Sequence, residues 1–167
     1  MFIRSIIRGM TGRHPKDGLH FFFSLFFLYC TSWYLLCTHS VVMKEKFELE
    51  YMLNTSPKVL FSRLSSAGGL SEWFADDVRV NGKNYTFVWE GAEQDAERVL
   101  KKEFKFVRYQ WSDDEDPKSY FEFKIDIDEL TGDLALYITD FANPEDIEDA
   151  KELWDTQIAN LKHVLGL

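Results

Sequence analysis

In residues 43–167 the spacing of hydrophobic and polar positions changes several times, and each change marks an element. Phe47, Leu49 and Tyr51 alternate with Glu48 and Glu50, the period of a strand with one wet face. Asn54-Thr55-Ser56-Pro57 supplies a hydroxyl cap and a first-turn proline for a helix. Leu60, Phe61 and Leu64 form its apolar stripe, and Gly68-Gly69 is expected to end it. Leu70-Ser71-Glu72-Trp73-Phe74 reads as a second short helix with an aromatic end. Val78 and Val80 then start a strand that Asn81-Gly82 turns into a hairpin. Tyr85, Phe87 and Trp89 alternate with Thr86 and Val88, and Gly91 opens the next turn. Residues 96–102 form a more polar strand. Residues 104–111 form another, whose aromatics leave its inward face ambiguous. Phe121, Phe123, Ile125 and Ile127 alternate with Glu122, Lys124, Asp126 and Asp128, and Thr131-Gly132-Asp133 turns into a last strand, 134–141. Asn143-Pro144-Glu145-Asp146 begins a helix that runs to about Leu165, with Gly166 as its stop. Ile147, Ala150, Trp154, Ile158, Leu161 and Leu165 recur on one face of that helix.

The order predicts an α+β fold. A curved antiparallel sheet of six to seven strands wraps on a long C-terminal helix, and two short helices follow the first strand. Sheet and helix each bury their apolar surface against the other. This arrangement resembles the helix-grip fold of the START-like superfamily, also called the SRPBCC or birch-pollen-allergen superfamily. The carriers are the opening strand, the helix start Ser56-Pro57-Lys58-Val59-Leu60-Phe61, the stretch Leu70 to Val78, and the terminal helix with Trp154. Leu70, Trp73 and Phe74, followed by a strand, are most similar to homologues of the activators of a heat-shock chaperone's ATPase. The resemblance implies three functions. One is non-catalytic binding of a lipid-like, hydrophobic or amphipathic small molecule between sheet and helix. The second is a protein-interaction module. The third is a cyclase or hydratase that uses a buried carboxylate or tyrosine.

Charge divides the chain. Residues 1–42 carry four basic side chains and one acidic, whereas residues 43–167 carry fifteen and twenty-seven. The first segment contains an uncharged run, Phe21 to Cys37, preceded by basic residues. With the composition changing at Met43, translation is expected to start there and the domain to be cytoplasmic. The alternative is a membrane anchor or export signal through residues 19–42. The acidic balance of the whole, net −9, excludes non-specific nucleic-acid binding, which rests on cations neutralising phosphates.

Candidate chemistry is sparse. Residues 43–167 contain no cysteine and one histidine, His163, so a thiol nucleophile and a zinc site are both excluded there. Asp126 to Asp133 does not fit a calcium loop, because Leu130 and Thr131 occupy positions that need an oxygen ligand and a glycine. Asp113 to Asp116 reads as a solvated acidic loop. No cofactor, metal or catalytic residue is expected. What stands out is aromatic content. Trp73, Phe87, Trp89, Phe106, Trp111, Phe121, Phe123, Tyr137, Trp154 and Ile158 are expected to face the space between sheet and helix, with Phe74 among them. They form either a ligand-lined cavity or a filled core, since both use the same residue types.

Overall fold

A computed structural model describes residues 44–114, 116 and 118–167. The expected start at Met43 and the uncharged run before it lie outside the described residues. Seven strands form one antiparallel sheet: β1 (Glu45–Leu53), β2 (Asp77–Asn81), β3 (Asn84–Trp89), β4 (Ala92–Lys102), β5 (Phe106–Trp111), β6 (Phe121–Ile127) and β7 (Leu134–Ala142). Their spatial order is β1-β7-β6-β5-β4-β3-β2, so only the β1–β7 pairing joins strands distant in sequence. Helices α1 (Pro57–Ser65) and α2 (Ala67–Leu70) follow β1, and α3 (Ile147–Leu165) closes the chain after a 3-10 turn, Pro144–Asp146. This is the helix-grip α+β arrangement. Among the described residues, no helix is long and apolar enough to cross a membrane.

The two short helices differ from expectation in an instructive way. The second one occupies Ala67–Leu70, not the Leu70–Phe74 stretch, which is a turn. Ser66 serves both helices. Its backbone N–H donates to the Ser62 carbonyl at the end of α1, and its hydroxyl accepts the Gly69 N–H (3.0 Å) at the start of α2. The chain therefore turns with no spacer. A Cβ on Gly69 would lie 2.4 Å from the Ser62 carbonyl oxygen and 2.7 Å from Arg63 Cα. Glycine is there because two backbones touch, and not to end a helix.

Helix α3 crosses the inner face of the sheet with Ala150, Trp154, Ile158 and Leu161 buried. Gly166 ends it in the left-handed conformation (φ 75°), as its position after Leu165 implies. Two polar ties fix the helix laterally. The Tyr51 hydroxyl of β1 donates to Asp155 (2.6 Å), and the Trp154 indole N–H donates to Asp140 of β7 (2.9 Å). The acidic loop also departs from its solvated reading. Lys44 Nζ lies 2.6 Å from Asp114, whose side chain is almost wholly covered. Burial pushes this carboxyl up, but hydrogen bonds from Lys44, Ser119 and the Asp116 backbone outweigh it and hold it below its ordinary value.

Candidate functional site

The interior between sheet and helix is built on a gradient along two strands. β3 points Tyr85, Phe87 and Trp89 inward, and β5 points Val107, Tyr109 and Trp111 inward. Tyrosines stand at one end and tryptophans at the other. At the tyrosine end, the Tyr85 hydroxyl donates to the Ser65 carbonyl and the Tyr109 hydroxyl to the Leu64 carbonyl, both at 3.1 Å. These are carbonyls of the last turn of α1, which the helix itself leaves without partners. Arg98 Nη1 donates to the Tyr85 hydroxyl at 2.7 Å and completes the network. Burial pushes the Tyr109 phenol far above its ordinary range.

The middle is filled by Phe74. Its ring stacks on Trp154 at 5.8 Å between centroids and 14° between planes, and meets Phe87, Trp89 and Phe123 edge-on at 5.2, 5.6 and 6.3 Å. Phe121 lies between Tyr109 (5.1 Å) and Trp111 (4.8 Å) in stacked contacts. Phe87, Phe121, Phe123 and Ile158 are fully buried in this packing.

At the tryptophan end the packing opens into a cleft of about 500 Å³. Its walls are the turn Ser71–Asp76, Trp89 of β3, and Gln157, Asn160, His163 and Val164 on the C-terminal half of α3. The turn wall is tied to the β3–β4 hairpin. Trp89 Nε1 donates to the Phe74 carbonyl (2.7 Å), and Asp76 accepts the Glu90 backbone N–H (2.7 Å). On the outer side, Trp73 Nε1 donates to the Arg63 carbonyl (3.1 Å), and Arg63 pairs with Glu72. The cleft thus has a fixed aromatic floor. The helix wall carries a polar group with unused capacity: Gln157 Oε1 is buried and has no hydrogen-bond partner among the described residues. Gln94 Oε1 on β4 shares that condition but does not line the cleft.

Of the ten residues expected to line the interior, the structure brings Trp73 and Trp89 to the cleft. It places Phe87, Trp111, Phe121, Phe123, Trp154 and Ile158 in the packed core. Phe106 and Tyr137 are corrections. Phe106 shares the outer face of β5 with Arg108 and Gln110, because the neighbouring set Val107, Tyr109 and Trp111 is the apolar one. Tyr137 faces out from β7 between Leu136 and Ile138, with its hydroxyl donating to Glu50 (3.0 Å) and Lys124 over its ring. An aromatic with a polar tip serves equally well on a wet face, so residue type alone did not assign either side. Sequence reasoning missed Gln157, Asn160 and Val164. Their spacing, one helical turn apart along the flank of the apolar stripe, was the available signal.

Asp140 is a half-buried carboxylate on β7. Loss of water raises its pKa to about 6, opposed by hydrogen bonds from the Trp154 indole and the Phe141 backbone N–H. It does not line the cleft. Among the described residues, no group of three or more His, Cys, Asp or Glu side chains converges as a metal site would need.

A family model described as a START-like superfamily domain matches residues 41–167, and the chain belongs to that family. Among solved structures, the Bacteroides fragilis protein BfR322 is 44% identical, with a TM-score of 0.55 over 74% of this chain and 93% of that one. The Aha1 dimer of Colwellia psychrerythraea is 17% identical, with a TM-score of 0.59 over 71% and 93%. CalU16 of Micromonospora echinospora is 11% identical, with a TM-score of 0.57 over 73% and 74%. The last two show a shared fold alone. Among curated proteins, no sequence matches.

Proposed function

We propose that the domain binds an amphipathic small molecule without transforming it, and that the molecule sits in the cleft at the tryptophan end. The observation that carries this is the pairing of a fixed aromatic floor, Trp73, Phe74 and Trp89, with the polar side chains of Gln157, Asn160 and His163 on the α3 wall. An apolar body covers the rings, and the ligand's polar group meets the side chains of that wall. With Trp73 5% and Phe74 3% exposed, the ring area open to a ligand is small, so at ~25 cal/mol per Å² the apolar gain is modest and binding is expected to be micromolar or weaker. The absence of catalysis in this reading is supported by Asp140, the perturbed carboxylate, being committed to Trp154 away from the cleft. A cytoplasmic domain beginning at Met43 is part of the same reading, and mass measurement of the native N-terminus tests it.

The test of binding is tryptophan fluorescence and native mass spectrometry against a panel of lipids and metabolites. Trp89→Ala and Gln157→Leu are expected to weaken any ligand found. A ligand bound equally well by both variants, or none at millimolar concentration, ends the carrier reading. The filled centre, with Phe74 stacked on Trp154, favours a second reading in that event. A domain with a closed core acts through its surface, as a protein-interaction module.

A further inference from the structure

The far end of the sheet from the cleft carries a surface unlike the rest of the domain. Residues 43–167 have a net charge of −12, yet residues 98–105 at the β4–β5 hairpin carry +3, from Arg98, Lys101, Lys102 and Lys105 against Glu103. The Arg98 N–H donates to the Lys83 carbonyl (2.8 Å), which brings a further lysine alongside. Arg98 is occupied with Tyr85 and Lys101 lies over the Phe61 ring. Lys83, Lys102 and Lys105 form no ion pair among the described residues. The same hairpin exposes three large apolar side chains: Val99 at 39%, Leu100 at 48% and Phe104 at 46%.

The local backbone explains the exposure. The β4–β5 register shifts between Arg98 and Leu100, so alternation breaks and Leu100 comes opposite the outward Arg108. Phe104 sits in the turn with φ 58°, a left-handed conformation that bulky residues rarely adopt. Its ring is braced edge-on against Phe61 of α1 at 5.6 Å. A bulky aromatic is therefore held at the apex of the hairpin, in a conformation glycine would take without strain. Such outliers point to use.

We propose that this hairpin docks the domain on an anionic lipid surface, with Phe104 entering the interface and Lys83, Lys102 and Lys105 meeting lipid phosphates. Charge complementarity argues for the anionic partner, and the size of the patch argues for lipid. Eight residues on a convex tip offer far less than the roughly 800 Å² per side of a standard protein interface. A bilayer needs no such area. Each cation close to an anionic leaflet strengthens binding about fivefold. The acidic remainder of the domain is repelled by that leaflet, so it orients the tip toward the membrane. This proposal is independent of what the cleft holds.

The test uses the full chain with a fluorophore at residue 103, through Glu103→Cys in a Cys30→Ser, Cys37→Ser background. Quenching by a nitroxide carried on the lipid acyl chain then reports the hairpin itself, whatever other segment meets the vesicle. Quenching is expected on vesicles of phosphatidylcholine with phosphatidylserine, and not on phosphatidylcholine alone. Combining Lys102→Gln with Lys105→Gln is expected to weaken it roughly 25-fold, and Phe104→Ala to remove most of it at equal lipid. Circular dichroism checks that each variant is folded. A probe that stays unquenched on anionic vesicles, or is quenched equally on both kinds, overturns the proposal. A probe that responds to soluble polyglutamate and to neither vesicle also overturns it, and reassigns the hairpin to an acidic protein partner.

Discussion

The two ends of the interior are made from the same two strands and behave differently. At the tyrosine end, Tyr85 and Tyr109 spend their hydroxyls on the last carbonyls of α1, and Arg98 completes the set. Helix, strand and side chain are locked by groups that satisfy one another. At the tryptophan end, the indoles of Trp73 and Trp89 spend their N–H groups on backbone carbonyls, which fixes the walls but covers nothing above them. The Gln157 amide oxygen is left there without a partner among the described residues. One end has used its polar capacity to hold the fold together. The other leaves the side chains of Gln157, Asn160 and His163 along an open wall that a bound molecule can meet.

Four perturbations test that contrast. The largest effect is expected where the ends meet. Trp154→Ala removes the ring stacked on Phe74 and the donor to Asp140, and should destabilise by about 3–5 kcal/mol in urea titration. A loss under about 1 kcal/mol would mean that the two ends do not depend on a packed centre.

Next comes a pH effect. The Asp140 carboxyl titrates near 6 when folded and near 3.8 as a free group, so the folded state binds more protons than the unfolded state between these values. Stability from this group is therefore present at low pH and lost as pH rises from about 4 to 6. The loss is on the order of 1–3 kcal/mol. Asp140→Asn keeps an acceptor for the Trp154 indole and removes the titration. The difference in urea midpoint between this variant and the parent should change across that window, in favour of the variant at neutral pH. An unchanged difference refutes the assignment.

Tyr109→Phe leaves the Leu64 carbonyl without its donor in a buried site and should destabilise by about 1–2 kcal/mol. The smallest effect is expected at the open end. Gln157→Leu discards a buried amide oxygen that has no partner among the described residues, so it should not destabilise and should stabilise the free domain by up to about 1 kcal/mol, while ligand binding weakens. If Tyr109→Phe and Gln157→Leu were equally destabilising, the distinction between a structural end and a binding end would fail.

Much of this was legible in the chain. The strand Phe121 to Ile127 alternates strictly, and a strand with a period of two and one apolar set has one inward face. Ser56-Pro57 and Gly166 mark helix boundaries through backbone chemistry that acts within a few residues. The α+β order and the family resemblance followed from these local signals. Local signals fail where two faces are chemically alike. Phe106 and Tyr137 were expected inside and lie outside, because an aromatic satisfies either face and only pairing with β6 and β1 chose between them.

The element order, the half-buried strands, the helix termini and the charge contrast between residues 1–42 and the domain were determined by the sequence itself. Each depends on residues close together in the chain or on a simple count. The position of α2, the inward face of β5 and the filling of the centre were decided only by the tertiary structure. So was the opening beside Trp89. Gly69 looks like a helix terminator until the Ser62 carbonyl is seen 2.4 Å from where its Cβ would be. Phe74 looks like one more lining residue until its ring is found stacked on Trp154. Whether an interior of aromatic residues is filled or hollow depends on distances between segments 14 to 80 positions apart, and composition has no access to those.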